Sequence, residues 1–152
     1  MTTIIQYISL ILVLLVSGVF WGTWFSLSRS IEITSPETFL ENGRLIIKNL
    51  AVPMRILMPL TILTMILVLW VYPEKSSGGF FMSAMSVILM IITLWITVRI
   101  EVPIDNRIKR WTISTLPDDW KAIRSRWQYY HTIRTFTALG SFAFLLAGSL
   151  FH

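Results

Sequence analysis

The sequence predicts an all-α protein, a four-helix transmembrane bundle with a short amphipathic helix in its first long loop. Three observations support this fold class. The 152 residues are 55% hydrophobic and only 14% charged, whereas soluble domains average about 25% charged residues. Four blocks of the chain are uncharged, and each approaches or exceeds the roughly 20 helical residues that cross a bilayer. The chain has no cysteine, which excludes disulfides, thiolate metal sites and thiol redox chemistry.

A chain of this length normally forms one domain, so we expect residues 1–152 to make a single integral membrane unit. The first uncharged block lacks the basic start of a signal peptide, and its apolar run is longer than a signal's hydrophobic core. We therefore expect a retained helix there. Gly18 and Gly22 within it have the spacing that lets another helix approach closely. The predicted spans are residues 4–27, 54–72, 79–100 and 131–151.

Two capping sequences mark where further helices begin. The runs Thr34-Ser-Pro-Glu37 and Thr115-Leu-Pro-Asp118 each combine a capping hydroxyl with an early proline and an acidic third residue. The first predicts a separate amphipathic helix at residues 36–50, which lies on the membrane surface and ends at Pro53. The second predicts the start of the last helix. The apolar face of the amphipathic helix comprises Phe39, Leu40, Ile46, Ile47 and Leu50.

The basic residues predict the topology. Of the thirteen Lys and Arg, all but Lys75 lie between blocks one and two or between blocks three and four. Cytoplasmic loops are enriched in Lys and Arg, so we expect both long loops in the cytoplasm and both termini outside, in the cell inner (plasma) membrane. The net charge of +5 is thus a topology signal. We expect the protein to contact the lipid bilayer and not to bind nucleic acid.

Five residues of the last predicted helix form a single stripe. Trp120, Arg124, Trp127, His131 and Arg134 are spaced four, three, four and three residues apart. Residues with that spacing share one face of an α-helix. Toward the C-terminus the same face becomes small and apolar. We therefore place the candidate site where this polar stripe enters the membrane.

Two carboxylates precede the stripe in the chain. If the third helix continues through Pro103, Glu101 and Asp105 lie on one face, a turn apart. Ionisable groups near hydrocarbon normally pair, face the bundle interior or line a wet cavity. Two interpretations remain open. One is an ion-pair network, with Glu101 paired to Arg134, that closes the cytoplasmic end of the bundle; the other is a polar pocket roofed by Trp120 and Trp127.

Histidine is the one member of this group that takes up and releases a proton near neutral pH. His131 is therefore a candidate general base, with Glu101 and Asp105 as further catalytic candidates. The three side chains could also surround a metal ion. We expect no metal, because the Glu-x-x-His signature of di-iron bundles is absent from the chain.

Around these residues the sequence resembles a known family. The segment Glu101-Val-Pro-Ile-Asp-Asn106, followed by Trp120 and the pattern Arg126-Trp127-x-x-x-His131-x-x-Arg134, is similar to the anthrone-oxygenase-like family of small four-helix membrane proteins. Most members of that family are bacterial domains of unknown function. The family motif usually carries Asn where Glu101 and Asp105 stand, and these two carboxylates would repel an anionic ligand.

The resemblance implies a reaction and a set of site residues. Characterised fungal members of the family oxidise an anthrone to an anthraquinone with O2 and no evident cofactor. By analogy we expect a cofactor-independent membrane oxygenase of an anthrone- or quinol-like hydrophobic small molecule, with His131 as general base. The alternative is a non-catalytic membrane protein that binds a lipid or a partner through the same pocket. The residues expected to bind the substrate are Trp120, Arg124, Trp127, Arg134 and Asn106.

Overall fold

The computed structural model describes residues 2–150, which form helices joined by short turns and contain no β-strand. A π-helical turn, Thr97–Glu101, joins the third and fourth helices into one rod, and two short 3-10 helices, Ser28–Ile33 and Ile113–Thr115, lie in the loops. The result is four rods, each long and apolar enough to cross a membrane. The predicted all-α, four-helix transmembrane bundle is confirmed. The helices are α1 (Thr2–Ser26), α2 (Pro36–Trp70), α3 (Gly78–Ile96), α4 (Val102–Ile108) and α5 (Trp120–Leu150).

Apolar side chains cover the outside of the bundle and hydroxyl side chains lie inside it, as is typical of a membrane protein. Large aliphatic residues such as Ile11, Leu63 and Ile91 are exposed on the outside of the bundle. Transmembrane helices gain little from burying such residues, because lipid tails are equally apolar, so they associate through small residues and hydrogen bonds. The interior accordingly contains buried hydroxyl side chains, namely Ser9, Ser17, Thr61, Ser83, Ser86, Thr93, Thr135 and Ser141.

Among the described helices, α3 and α5 share the most extensive contact. Ser86 and Ser141 each donate a hydrogen bond to the other's backbone carbonyl, at 2.6 and 2.9 Å. One end of the interface is closed by Gly148, since a Cβ atom there would stand 2.7 Å from the carbonyl oxygen of Gly79 and would clash with Ser83 Oγ. Gly18 and Gly22 behave differently, because a Cβ at either would meet nothing within 4 Å. The close helix approach predicted for them does not occur within residues 2–150.

The helix α2 is continuous, which corrects the prediction of a separate amphipathic helix at residues 36–50. It begins where expected, with the Ser35 side chain accepting a hydrogen bond from the Thr38 amide at 3.3 Å. Pro53 does not end it, because a proline within a long transmembrane helix removes one hydrogen bond while the surrounding turns hold the helix together. The apolar face of this first half packs inside the protein, with Phe39 and Ile47 buried against Ile108 and Trp127.

The third rod continues through Pro103, which was the condition for Glu101 and Asp105 to share a face. It does so by a wide turn, in which the amide of Val102 donates to the carbonyl of Thr97, five residues earlier. A proline has no N–H and its ring crowds the carbonyl four residues before it, so a wider turn just ahead of Pro103 relieves that crowding. The rod then extends to Ile108, and Glu101 is directed into the bundle with no exposed surface.

The last helix begins later than its predicted cap. Thr115 does not cap α5, since its hydroxyl accepts a hydrogen bond from the Thr112 amide at 2.8 Å and closes the short 3-10 helix. The first turn of α5 instead begins at Trp120, whose amide donates to the carbonyl of Pro117 at 3.0 Å. The polar stripe of the sequence therefore occupies the first four turns of α5.

The topology can be tested with single cysteines, since the chain has none of its own. Ser76, in the turn between α2 and α3, and Ser114, between α4 and α5, are both exposed. From the position of the basic residues, Ser76→Cys should react with an impermeant maleimide on intact cells, and Ser114→Cys only after permeabilisation. Equal labelling of both positions on intact cells would contradict this topology.

The α3–α5 contact predicts a difference between two glycines. Gly148→Ala should lower the free energy of unfolding in detergent by about 1–3 kcal/mol, the usual cost of overpacking, because the added methyl group meets the backbone of Gly79. The matched control, Gly18→Ala, should change it little, because the methyl group there enters open space. Equal melting temperatures for the two variants would show that α3 and α5 are not in close contact.

Candidate functional site

A cavity of about 400 Å³ lies among the rods at the polar end of the bundle, within the range of about 300–1,000 Å³ typical of small-molecule sites. Its depth is apolar, with walls from Phe20, Met54, Met58 and Leu94. Its mouth lies between α2 and the α3–α4 rod, so that it opens through the side of the bundle. The exposed residues of the mouth are Ala51, Arg55, Pro59, Val98, Val102, Asn106 and Lys109.

Arg134 is the central side chain of the cavity's polar end. Its Nη2 lies 3.2 Å from Glu101 Oε2, its Nε donates to His131 Nδ1 at 3.0 Å, and its guanidinium carbon lies 4.8 Å from the centre of the Phe20 ring. Glu101 is completely buried, and within residues 2–150 neither of its oxygens accepts a hydrogen bond of normal geometry. The ion pair with Arg134 is therefore what compensates the Glu101 charge.

The hydrogen bonds of His131 fix its tautomer. Arg134 can only donate, so Nδ1 must accept, and the neutral ring then carries its proton on Nε2. That nitrogen lies 3.2 Å from the Thr23 hydroxyl, which in turn donates to the carbonyl of Val19 at 2.9 Å and is free to accept from the ring. Both ring nitrogens of His131 are thus engaged, and the network leaves no lone pair directed into the cavity.

Trp127 connects the histidine to a carboxylate. Its indole ring stacks on His131 with 5.7 Å between ring centres and an interplanar angle of 12°. Its Nε1 donates to Asp105 Oδ1 at 3.0 Å. Asp105 lines the cavity, and among the described residues no group donates to its second oxygen, Oδ2. The cavity therefore contains one carboxylate oxygen that is able to accept a proton.

Two residues of the sequence stripe lie outside the cavity wall. Arg124 donates to the backbone carbonyls of Glu32 at 2.8 Å and Thr34 at 3.3 Å, and so ties α5 to the loop that follows α1. Its guanidinium carbon lies 4.8 Å from the centre of the Trp120 ring, which packs in turn on Phe39. This layer closes the end of the bundle. The structure thus contains a Glu101–Arg134 ion pair and a cavity, and of the two tryptophans expected to roof a pocket only Trp127 lines that cavity.

The three residues considered as metal ligands have other partners. Glu101 is directed at Arg134, and Asp105 accepts from Trp127. Among residues 2–150, no three His, Asp or Glu side chains are grouped closely enough to hold a metal ion. Glu101 is also absent from the cavity wall and reaches it only through Arg134, whereas Asn106 lies at the mouth as part of the wall.

Sequence reasoning did not identify Thr23, Arg55 and Lys109 as site residues. The signal for Thr23 was present, because it continues a stripe of inward-facing residues along α1 that includes Val13, Ser17 and Phe20. Arg55 and Lys109 had no comparable signal. Both line the same cavity mouth because α2 continues through Pro53 and the third rod continues through Pro103.

Comparison with known proteins gives one match. A family model described as anthrone oxygenase matches residues 50–144 of the chain, which is more than half of its length. No curated protein and no solved structure matches it. The matched range extends from the α2 side of the cavity mouth through the residues around Arg134, and it leaves out α1 and therefore Thr23.

The ion pair predicts non-additive effects of mutation. Glu101→Gln should lower the free energy of unfolding in detergent, because removing one partner of a buried pair costs about 3–5 kcal/mol. Arg134→Gln should do the same, and the double variant should recover part of the loss. Recovery is only partial because Arg134 also donates to His131.

A matched control for this cycle is Glu41→Gln on the exposed side of α2, where a surface change is usually within about 0.5 kcal/mol. Losses that simply add in the double variant would show that Glu101 and Arg134 do not interact.

Proposed function

The chain belongs to the anthrone oxygenase family, and we propose that it is a cofactor-independent membrane oxygenase of an activated aromatic molecule of the anthrone or quinol type. One observation supports this most strongly. A largely apolar cavity ends in a polar group, in which Trp127 donates a hydrogen bond to Asp105 and stacks on His131. An apolar ring system in that cavity would lie beside a proton acceptor and a guanidinium group.

The chemistry of an anthrone needs little more than this. A base removes one proton from the methylene carbon, and the negative charge spreads over the rings to the carbonyl oxygen. The carbanion passes one electron to O2, the two radicals combine to form a C–O bond, and the peroxide oxygen takes up the proton. Loss of the second methylene hydrogen with the terminal OH, as water, breaks the O–O bond. One anthrone and one O2 thus give one anthraquinone and one water.

Asp105 is the group best placed to take the first proton. Its Oδ2 has no donor within residues 2–150, and Trp127 fixes the carboxylate through Oδ1 at 3.0 Å. The sequence favoured His131 as base, but in this geometry Nδ1 accepts from Arg134 and Nε2 carries the proton. For His131 to act as base, Arg134 would first have to leave it. A positioned general base contributes about 10²–10⁴-fold to a rate.

The remaining polar residues stabilise the anion. Arg134 lines the cavity and uses two of its five N–H groups on His131 and Glu101. Its other N–H groups are available to the oxygen on which negative charge develops. Glu101 acts through Arg134 as a positioning residue. The apolar depth of the cavity, with Phe20, Met54 and Met58, excludes water and so strengthens these interactions.

A second candidate function is non-catalytic binding of a lipid or a partner through the same cavity. The observation that favours it is the position of the mouth, between two membrane-spanning rods, where a bilayer component has direct access. This candidate predicts a bound lipid or partner that copurifies with the protein and no O2 consumption above background with any anthrone.

Oxygen uptake with an anthrone tests the enzyme proposal. Asp105→Asn, which keeps an oxygen for Trp127 to bond, should lower the rate by about 10²–10⁴-fold. His131→Gln, which keeps an acceptor for Arg134, should lower it less. Arg99→Gln is the control, since Arg99 is exposed and outside the cavity wall, and it should match wild type.

Each other outcome of this assay has a definite meaning. The reverse order of the Asp105 and His131 effects would make His131 the base. Uptake that is lost with EDTA and restored by iron or manganese would instead assign Glu101, Asp105 and His131 to a metal. Uptake by wild type that does not exceed the uncatalysed rate would exclude an oxygenase of this substrate class and favour the binding protein.

A further inference from the structure

Two cations lie at the mouth of the cavity. Arg55 on α2 and Lys109 at the end of α4 both line the cavity, and both are exposed. Within residues 2–150 neither side chain forms an ion pair or a hydrogen bond. Ionisable side chains beside the hydrocarbon of a membrane are costly and normally have a counter-charge. Lys109 is attracted by the Asp105 carboxylate one turn earlier, whereas Arg55 has no acidic side chain in contact with it within residues 2–150.

Most charged side chains of the cavity wall are cations. Three cations, Arg55, Lys109 and Arg134, line it together with a single carboxylate, Asp105. Glu101, which the sequence suggested would repel an anion, does not line the cavity, because it lies buried behind Arg134 and is paired with it. Glu101 therefore does not face a ligand in the cavity and is matched by Arg134, which leaves Arg55 and Lys109 in the wall against the one carboxylate of Asp105.

The exposed residues of the mouth lie in one row on α2 and another on the α3–α4 rod. Arg55 belongs to the first row and Lys109 to the second, so both cations lie at the entrance of the cavity. Along α2 the row is Ala51, Arg55 and Pro59, one turn apart. Deeper in the cavity, beside Arg55, lie the buried side chains of Met54 and Met58. A ligand that satisfies both regions has an apolar body inside and an anionic group at the entrance.

We propose that the cavity binds an amphiphilic aromatic acid, whose ring system packs between Met54, Met58 and Trp127 and whose anionic substituent lies between Arg55 and Lys109. The aromatic body rests on the proposed function, whereas the anionic substituent rests on the charges of the mouth alone. The substrate class is thereby narrowed to ring systems that carry a carboxylate or a comparable anion at the end remote from Asp105.

The same chemistry, an anion on an apolar body, is also offered by the phospholipids of the bilayer. Long basic side chains at membrane surfaces extend their charged ends toward phosphate groups, and Arg55 is able to do so. The cavity of about 400 Å³ holds a three-ring body, whereas the two acyl chains of a phospholipid would remain largely in the bilayer. The experiment therefore separates an aromatic acid from a lipid headgroup.

The test compares two ligands with the same rings, 9-anthracenecarboxylate and 9-anthracenemethanol, by their fluorescence on binding to the full chain in a neutral detergent. Wild type should bind the carboxylate about tenfold more tightly than the alcohol. Arg55→Gln and Lys109→Gln should each lower the affinity for the carboxylate by about 5–10-fold, where tenfold corresponds to about 1.4 kcal/mol. Neither should change the affinity for the alcohol, which also shows that the variants are folded.

Two further variants show whether the change in ligand affinity arises at the cavity. Arg99→Gln removes an exposed cation outside the cavity wall and should leave both affinities unchanged. Met58→Trp fills the depth of the cavity and should weaken both ligands. Equal affinity of wild type for the two ligands, or equal losses for both ligands in Arg55→Gln, would overturn the proposal.

The lipid source is tested in nanodiscs of phosphatidylcholine with and without phosphatidylglycerol. The aromatic-acid proposal predicts that carboxylate binding changes little with the anionic lipid. If phosphatidylglycerol displaces the carboxylate from wild type but not from Arg55→Gln, the mouth binds a lipid headgroup and the proposal fails. These measurements need no turnover, so absence of O2 uptake with an anthrone would refute the oxygenase function and leave the binding result standing.

Discussion

The structure depends on how one largely buried guanidinium, that of Arg134, is compensated. Arg134 lies within a helix that is long and apolar enough to cross a membrane, and an unpaired charge there would be expensive. It is held by Glu101 from the third rod, by His131 from the preceding turn of its own helix, and by the face of Phe20 from α1. These contacts join three of the four rods. Because Arg134 can only donate, they also set the tautomer of His131.

The shape of the cavity follows from unequal packing around this centre. The helices α3 and α5 are drawn together by small residues and by paired hydroxyls such as Ser86 and Ser141. The contact between α2 and α3 is less extensive, and α2 carries methionines rather than hydroxyls toward the cavity. The free volume therefore lies on the α2 side, with its polar end at Arg134 and its mouth between two membrane-facing rods.

Much of this could be predicted from the sequence, because its physics is local. Uncharged blocks identify four spans, and a spacing of three and four residues identifies the α5 stripe, with Glu101 opposite Arg134. Events that depend on tertiary contacts were not predictable in this way. Pro53 would end an isolated amphipathic helix, but it does not end one that packs against Ile108 and Trp127. Similarly, Trp120 and Arg124 share the stripe of His131, yet Arg124 binds the loop after α1 and Trp120 packs on Phe39. Periodicity identifies a face, but not how far along the helix the cavity extends.

An experimental structure of the protein in a lipid nanodisc with anthraquinone bound would show whether Arg134 and its partners border a ligand site. We expect density for the three rings in the cavity between α2 and α5, in contact with Met58 and Trp127, with one quinone oxygen within hydrogen-bonding distance of Arg134. The Arg134 guanidinium should still contact both Glu101 and His131. Rings bound elsewhere on the bundle, or an Arg134 separated from Glu101, would contradict the central claim that this buried ion pair forms the polar end of a ligand site.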